Sequence, residues 1–150
     1  KIEPYKKFSN TGFNDIRLYK KDFFEKIGGY PLTPSPDSVL LIKATNRNLK
    51  VEVIKDVYFF EPRMSGSKIG IWNGSKMKGR YMYILGYHPF LTLLNSFEIT
   101  RRIPPHYQMV PLIWGFLLAG LKREKKISDI EVKDYYGKKR LKEILNGLKG

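Results

Sequence analysis

The sequence predicts an α/β fold, and three observations carry that prediction. Ile16-Arg17-Leu18-Tyr19 alternates apolar and polar residues like a short strand. Two helical patterns with legible starts and stops follow it, over 22–27 and from Pro36 to about Asn46. Residues 49–54 and 57–60 are then rich in Val, Ile, Tyr and Phe and are split by a Lys55-Asp56 turn, as in a pair of strands. Strand, helix, loop, helix, strand, strand is an α/β order.

Residues 1–10 are polar and basic and read as a lead-in strand or loop, and Thr11-Gly12-Phe13-Asn14 reads as a turn. The helix over 22–27 packs Phe23, Phe24 and Ile27, and Gly28-Gly29 ends it in a left-handed cap. Ser35 can cap the second helix, with Pro36 at the first position, where a missing amide hydrogen costs nothing. Val39, Leu40 and Ile42 form its buried face. Asp37 falls in the first turn, where exposed amides and the helix dipole keep a carboxylate ionised and able to accept a proton. The same placement also serves simple capping.

Residues 61–76 interleave Gly and Ser with Arg63, Lys68 and Lys76. Such a loop can wrap phosphate oxygens with backbone amides and cations, or can be an ordinary solvated connection. A helix over 76–85 breaks at Gly86 and Pro89. Residues 90–99 place Phe90, Leu91, Leu94 and Phe97 on one helical face before Arg101-Arg102 and Pro104-Pro105.

Residues 109–121 are apolar throughout apart from glycine and proline, with Trp114 central. Thirteen helical residues rise only about 20 Å against about 30 Å of hydrocarbon, so an interfacial segment is a better membrane reading than a crossing. Packing against the protein's own core is the other reading. Residues 127–136 are a charged connector containing Asp129-x-Glu131, and 138–148 an amphipathic helix.

Composition limits function. The 150 residues, 42% hydrophobic and 14% aromatic, suit one domain or a large part of a bigger protein, and the opening Lys1 reads as a fragment boundary. The absence of cysteine excludes disulfides and thiolate metal sites, and His88 and His106 alone cannot build a zinc site. A formal charge of +14 predicts attraction to polyanions. Residues 76–150 hold 15 Lys+Arg against 6 Asp+Glu, whereas residues 1–75 hold 13 against 8, so charge and apolar runs coincide in the second half.

The run Arg17-Leu18-Tyr19-Lys20-Lys21, followed by Phe24-Glu25-Lys26-Ile27-Gly28-Gly29-Tyr30, resembles the acceptor-side half of family 2 glycosyltransferases of the GT-A (Rossmann-like) fold. Asp37 falls on the family's catalytic aspartate. Gly79-Arg80-Tyr81-Met82-Tyr83-Ile84-Leu85-Gly86-Tyr87-His88-Pro89 and the apolar, basic tail resemble a membrane-associated subgroup. Arg63-Met64-Ser65-Gly66-Ser67-Lys68 is similar to the diphosphate-contacting loop of dolichyl-phosphate-mannose synthase relatives, one residue shorter.

The resemblance implies an acceptor-side part of a catalytic domain over 1–80 and membrane-associating amphipathic helices over 81–150. It implies inverting transfer of a sugar from a nucleotide-diphosphate donor to a glycan or lipid-linked acceptor at the cytoplasmic face of a membrane. Asp37 would be the general base, Arg63 and Lys68 would meet the diphosphate, and Arg17 would reach a substrate phosphate or pair with Asp37. Two departures stand out. Pro36 replaces the usual Glu before Asp37, and the nucleotide-binding half with its Asp-x-Asp site for Mg or Mn is absent, so this chain alone is expected to be inactive. The rival reading is a non-catalytic basic module for anionic lipid or nucleic acid. Nucleic acid is disfavoured because Phe23/Phe24, Phe59/Phe60 and Phe90/Phe97 sit at core-like spacing.

Overall fold

A computed structural model describes residues 18–50, 69–102 and 104–147. Its helices are α1 (Lys21–Lys26), α2 (Pro36–Asn46), α3 (Gly70–Ile84), α4 (Pro89–Arg102), α5 (Met109–Leu121), α6 (Ile130–Asp134) and α7 (Arg140–Gly147), with a π-helical turn at Tyr135–Lys139 between the last two. Among the described residues there is no strand and the regular structure is all-helical, where the sequence pattern predicts α/β. Of the stretches expected to be strands, only 18–19 and 49–50 are described, and both are irregular. Alternation alone does not make a strand, because the backbone also needs a ladder partner. Tyr19 instead turns its ring onto Phe23 and Phe24. The rest of the pair at 49–54 and 57–60 lies outside the described residues.

The core joins the two halves of the chain. Val39 and Ile42 of α2 meet Leu85, Leu91 of α4, Val132 of α6 and Tyr136 of the π-helical turn, with Tyr87, Ile127 and Ile144 packed around them. Each such aliphatic side chain removed from water contributes about 1.5–3 kcal/mol. Tyr87 stacks on Tyr136 with centroids 3.9 Å apart, and burial, then Tyr136, pushes its phenol well above the usual tyrosine range.

α3 and α5 run parallel and touch along their lengths, with α4 returning the chain between them. Ser75 donates to Gln108 at 3.3 Å near one end, and the Ile127 amide donates to the Ile84 carbonyl at 2.8 Å near the other. Between these points the backbones meet at Gly79 and Gly115. A Cβ at Gly79 would overlap the Leu112 carbonyl, and one at Gly115 would overlap the carbonyl of Lys76. α3 starts at Gly70 rather than at Lys76. The Asn73-Gly74-Ser75 stretch expected as loop is helical, and its Ser75 is buried at the contact with Gln108. Residue 80, where the sequence places a domain boundary, lies within α3.

The inward face of α4 also departs from the expected one. Leu91, Thr92 and Ser96 are buried, while Phe90 and Phe97 are 46% and 58% exposed. Burying Thr92 and Ser96 is tolerable because their hydroxyls donate to the carbonyls of His88 and Leu93. Core-like spacing of Phe90 and Phe97 is therefore no argument against an exposed binding face.

The charged connector contains α6 and is tied down by ions. Asp129 accepts from the Val132 amide at 3.3 Å as the α6 cap and pairs with Lys43 at 2.7 Å. Arg47 forks onto Glu131 at 3.1 and 3.2 Å. Desolvation pushes Asp129 up, but the Lys43 ammonium and the Val132 amide outweigh it and hold the carboxyl below its usual 3.8. Arg47 likewise holds Glu131 below 4.5. A carboxyl depressed in the folded state adds stability above its unfolded pKa and loses it as pH falls through the folded value. Urea midpoints should therefore stay flat above the range of these two carboxyls and drop below it. Lys43→Met with Arg47→Met should flatten that acid limb, and an unchanged limb would remove the ion pairs as its cause.

Candidate functional site

The site builds from the glycine stop of α1. Gly28 and Gly29 have φ of +80° and +77°, a left-handed conformation open to glycine at little cost. They reverse the chain so that Tyr30 returns edge-on to Phe24 at 5.6 Å and to Tyr19 at 6.3 Å. That aromatic cluster aims the Tyr30 hydroxyl at the start of α2, where it donates to Asp37 Oδ1 at 3.1 Å. The Tyr30 phenol is pushed up to about 12, by desolvation first and then by the neighbouring carboxylate. It stays protonated, a donor, throughout the neutral range.

Asp37 sits one residue past Pro36, in the first turn of α2, and is half-buried. Ser35 makes no side-chain cap bond, contrary to its sequence role, so the end of the helix is carried by Pro36 and the acidic residue. A carboxylate held by a phenol at the positive end of a helix can accept a proton from a hydroxyl that reaches it.

Arg17, Arg63 and Lys68 lie outside the described residues, so of the four site residues expected from the sequence only Asp37 is placed. Tyr30, which donates to Asp37, was not singled out as a site residue by spacing. Its signal was the aromatic directly after Gly28-Gly29. Lys76, the third cation of the expected loop, instead belongs to α3, where with Arg80 and Lys122 it lines an open groove of about 780 Å³ against Gly115 and Leu118 of α5. Glu124 is drawn to Arg80 there at 2.7 Å. Asp37 is not part of this groove.

The described residues do not fit a divalent metal. No three His, Asp, Glu or Cys side chains converge among them, and the acidic pair Asp129 and Glu131 is engaged by Lys43 and Arg47. No family model matches the chain, and no curated protein and no solved structure matches it.

Proposed function

We propose that this chain is the acceptor-side part of an inverting glycosyltransferase, with Asp37 as the general base. The observation that carries the reading is the hydrogen bond from Tyr30 to Asp37, 3.1 Å long. It ties together the Ile-Gly-Gly-Tyr stretch and the acidic position on which the family resemblance rests, two sequence features that need not have met.

In the proposed reaction the acceptor hydroxyl approaches the Asp37 carboxylate. Its oxygen bonds to the anomeric carbon while the bond from that carbon to the donor phosphate breaks, and Asp37 takes the proton. A hydroxyl is a weak nucleophile, and a positioned base contributes about 10²–10⁴-fold. The electron pair leaves with the nucleoside diphosphate, whose growing charge Arg63 and Lys68 are suited to meet. Tyr30 acts as a positioning residue, fixing one carboxylate oxygen and leaving the proton to be taken by the carboxylate as a whole. The donor half is proposed to lie in a segment outside these 150 residues.

The test is acceptor-dependent release of nucleoside diphosphate by the full-length protein across a panel of nucleotide-diphosphate sugars. Turnover that depends on Asp37 supports the reading. A folded full-length protein that turns over none of the panel with glycan or polyprenyl-phosphate acceptors overturns it.

A further inference from the structure

The strongest unexplained surface lies on α5. Val110, Trp114, Leu117 and Leu121 are 60%, 51%, 52% and 78% exposed. Their spacing of four, three and four residues puts them on a single helical stripe. The opposite face of the same helix, Leu112, Gly115 and Ala119, is buried, in part against the backbone of α3. α5 is therefore apolar on the side that packs and equally apolar on the side that does not. An exposed run of this kind with an indole at its centre marks an interaction surface.

Charge identifies the partner. Lys122, Arg123, Lys125 and Lys126 follow Leu121 directly and are all exposed. The acid among them, Glu124, is drawn back to Arg80. The groove on one flank of α5 adds Lys76. An apolar stripe with an amphipathic aromatic, ending in a cluster of cations, complements an acyl boundary beneath anionic headgroups. α5 has 13 residues, and no helix among the described residues is long and apolar enough to cross a membrane, so the stripe would lie in the interfacial plane.

We propose that the α5 stripe and the cations at its C-terminal end dock this protein on an anionic bilayer. The indole of Trp114 sits at the acyl boundary with Leu117 and Leu121, while Lys122, Arg123 and Lys125 contact phosphate headgroups. This inference is independent of Asp37, because it rests on a different helix and involves no turnover.

The test uses the chain with Trp72→Phe, so that tryptophan emission reports Trp114 alone, mixed with vesicles of neutral phosphatidylcholine or of phosphatidylcholine carrying about 30 mol % phosphatidylglycerol. The chain should sediment with the anionic vesicles, release at high salt, and shift its emission to the blue. Trp114→Glu with Leu117→Glu, both at solvent-facing positions, should keep the circular dichroism of the parent and weaken binding at least about tenfold. Lys122→Gln and Lys125→Gln should each weaken it about fivefold. A folded parent that ignores anionic vesicles, or a double Glu variant that binds as the parent does, overturns the proposal. So does a vesicle-free parent that is a dimer and becomes a monomer in the double variant, which would assign the stripe to a second copy.

Discussion

With Asp37 as the proposed base, Asp37→Asn in the full-length protein is expected to lower kcat by about 10²–10⁴-fold with little change in acceptor KM. Asn nearly matches Asp in shape, still offers an oxygen to the Tyr30 hydroxyl, and is tolerated at the start of a helix, so α2 should stay in place. What the proposed mechanism loses is the capacity to take a proton as the acceptor oxygen attacks. Initial rates of nucleoside diphosphate release, with circular dichroism as the control for folding, measure this directly, and a variant as fast as the parent removes Asp37 as the base. Tyr30→Phe separates positioning from chemistry. It deletes one partly exposed hydrogen bond to the carboxylate and should cost only about fivefold.

Gly115→Ala is expected to destabilise the fold by about 3 kcal/mol, with Gly79→Ala similar, as overpacking at a rigid contact does. In each case the added methyl meets a backbone carbonyl of the facing helix, Lys76 or Leu112, which cannot move aside as a flexible side chain could. α3 and α5 must separate, and the loss spreads to Ser75 with Gln108 and to Tyr83 with Phe116, which pack on the same seam. Thermal unfolding should show a drop of roughly 10 °C. Gly74→Ala is the internal control. It lies in the same helix with nothing within 4 Å of its added carbon, and should stabilise by about 0.5–1 kcal/mol through helix propensity. If Gly115→Ala and Gly74→Ala behave alike, the close approach of the two helices is wrong.

The candidate site is partly legible in the sequence alone. Pro36 and Asp37 follow rules local to a few residues, and the structure keeps α2 at Pro36–Asn46, close to the boundaries that local rules give. The Ser35 cap followed the same rules and is not made: Ser35 sits at φ −141° and ψ 70° with no side-chain bond to the helix amides. Tyr30 became part of the site only through the turn at Gly28 and Gly29 and the rings of Tyr19 and Phe24. Asp129 and Glu131 were invisible as structural ions because their partners, Lys43 and Arg47, are more than eighty residues away in the chain.

By itself the sequence determined what depends on neighbours along the chain: the extents of α2 and α5, the glycine ends of α1 and α3, the basic charge and the absence of cysteine. The tertiary structure decided what depends on partners across space. It placed Ser75, Gly79 and Gly115 at a helix seam, turned Phe90 and Phe97 outward, left the α5 stripe uncovered and built the regular structure among the described residues from helices, with no strand among them. The reason is physical. Helical hydrogen bonds close within four residues and can be read locally, whereas a strand or a buried face exists only once a second segment has arrived to satisfy it.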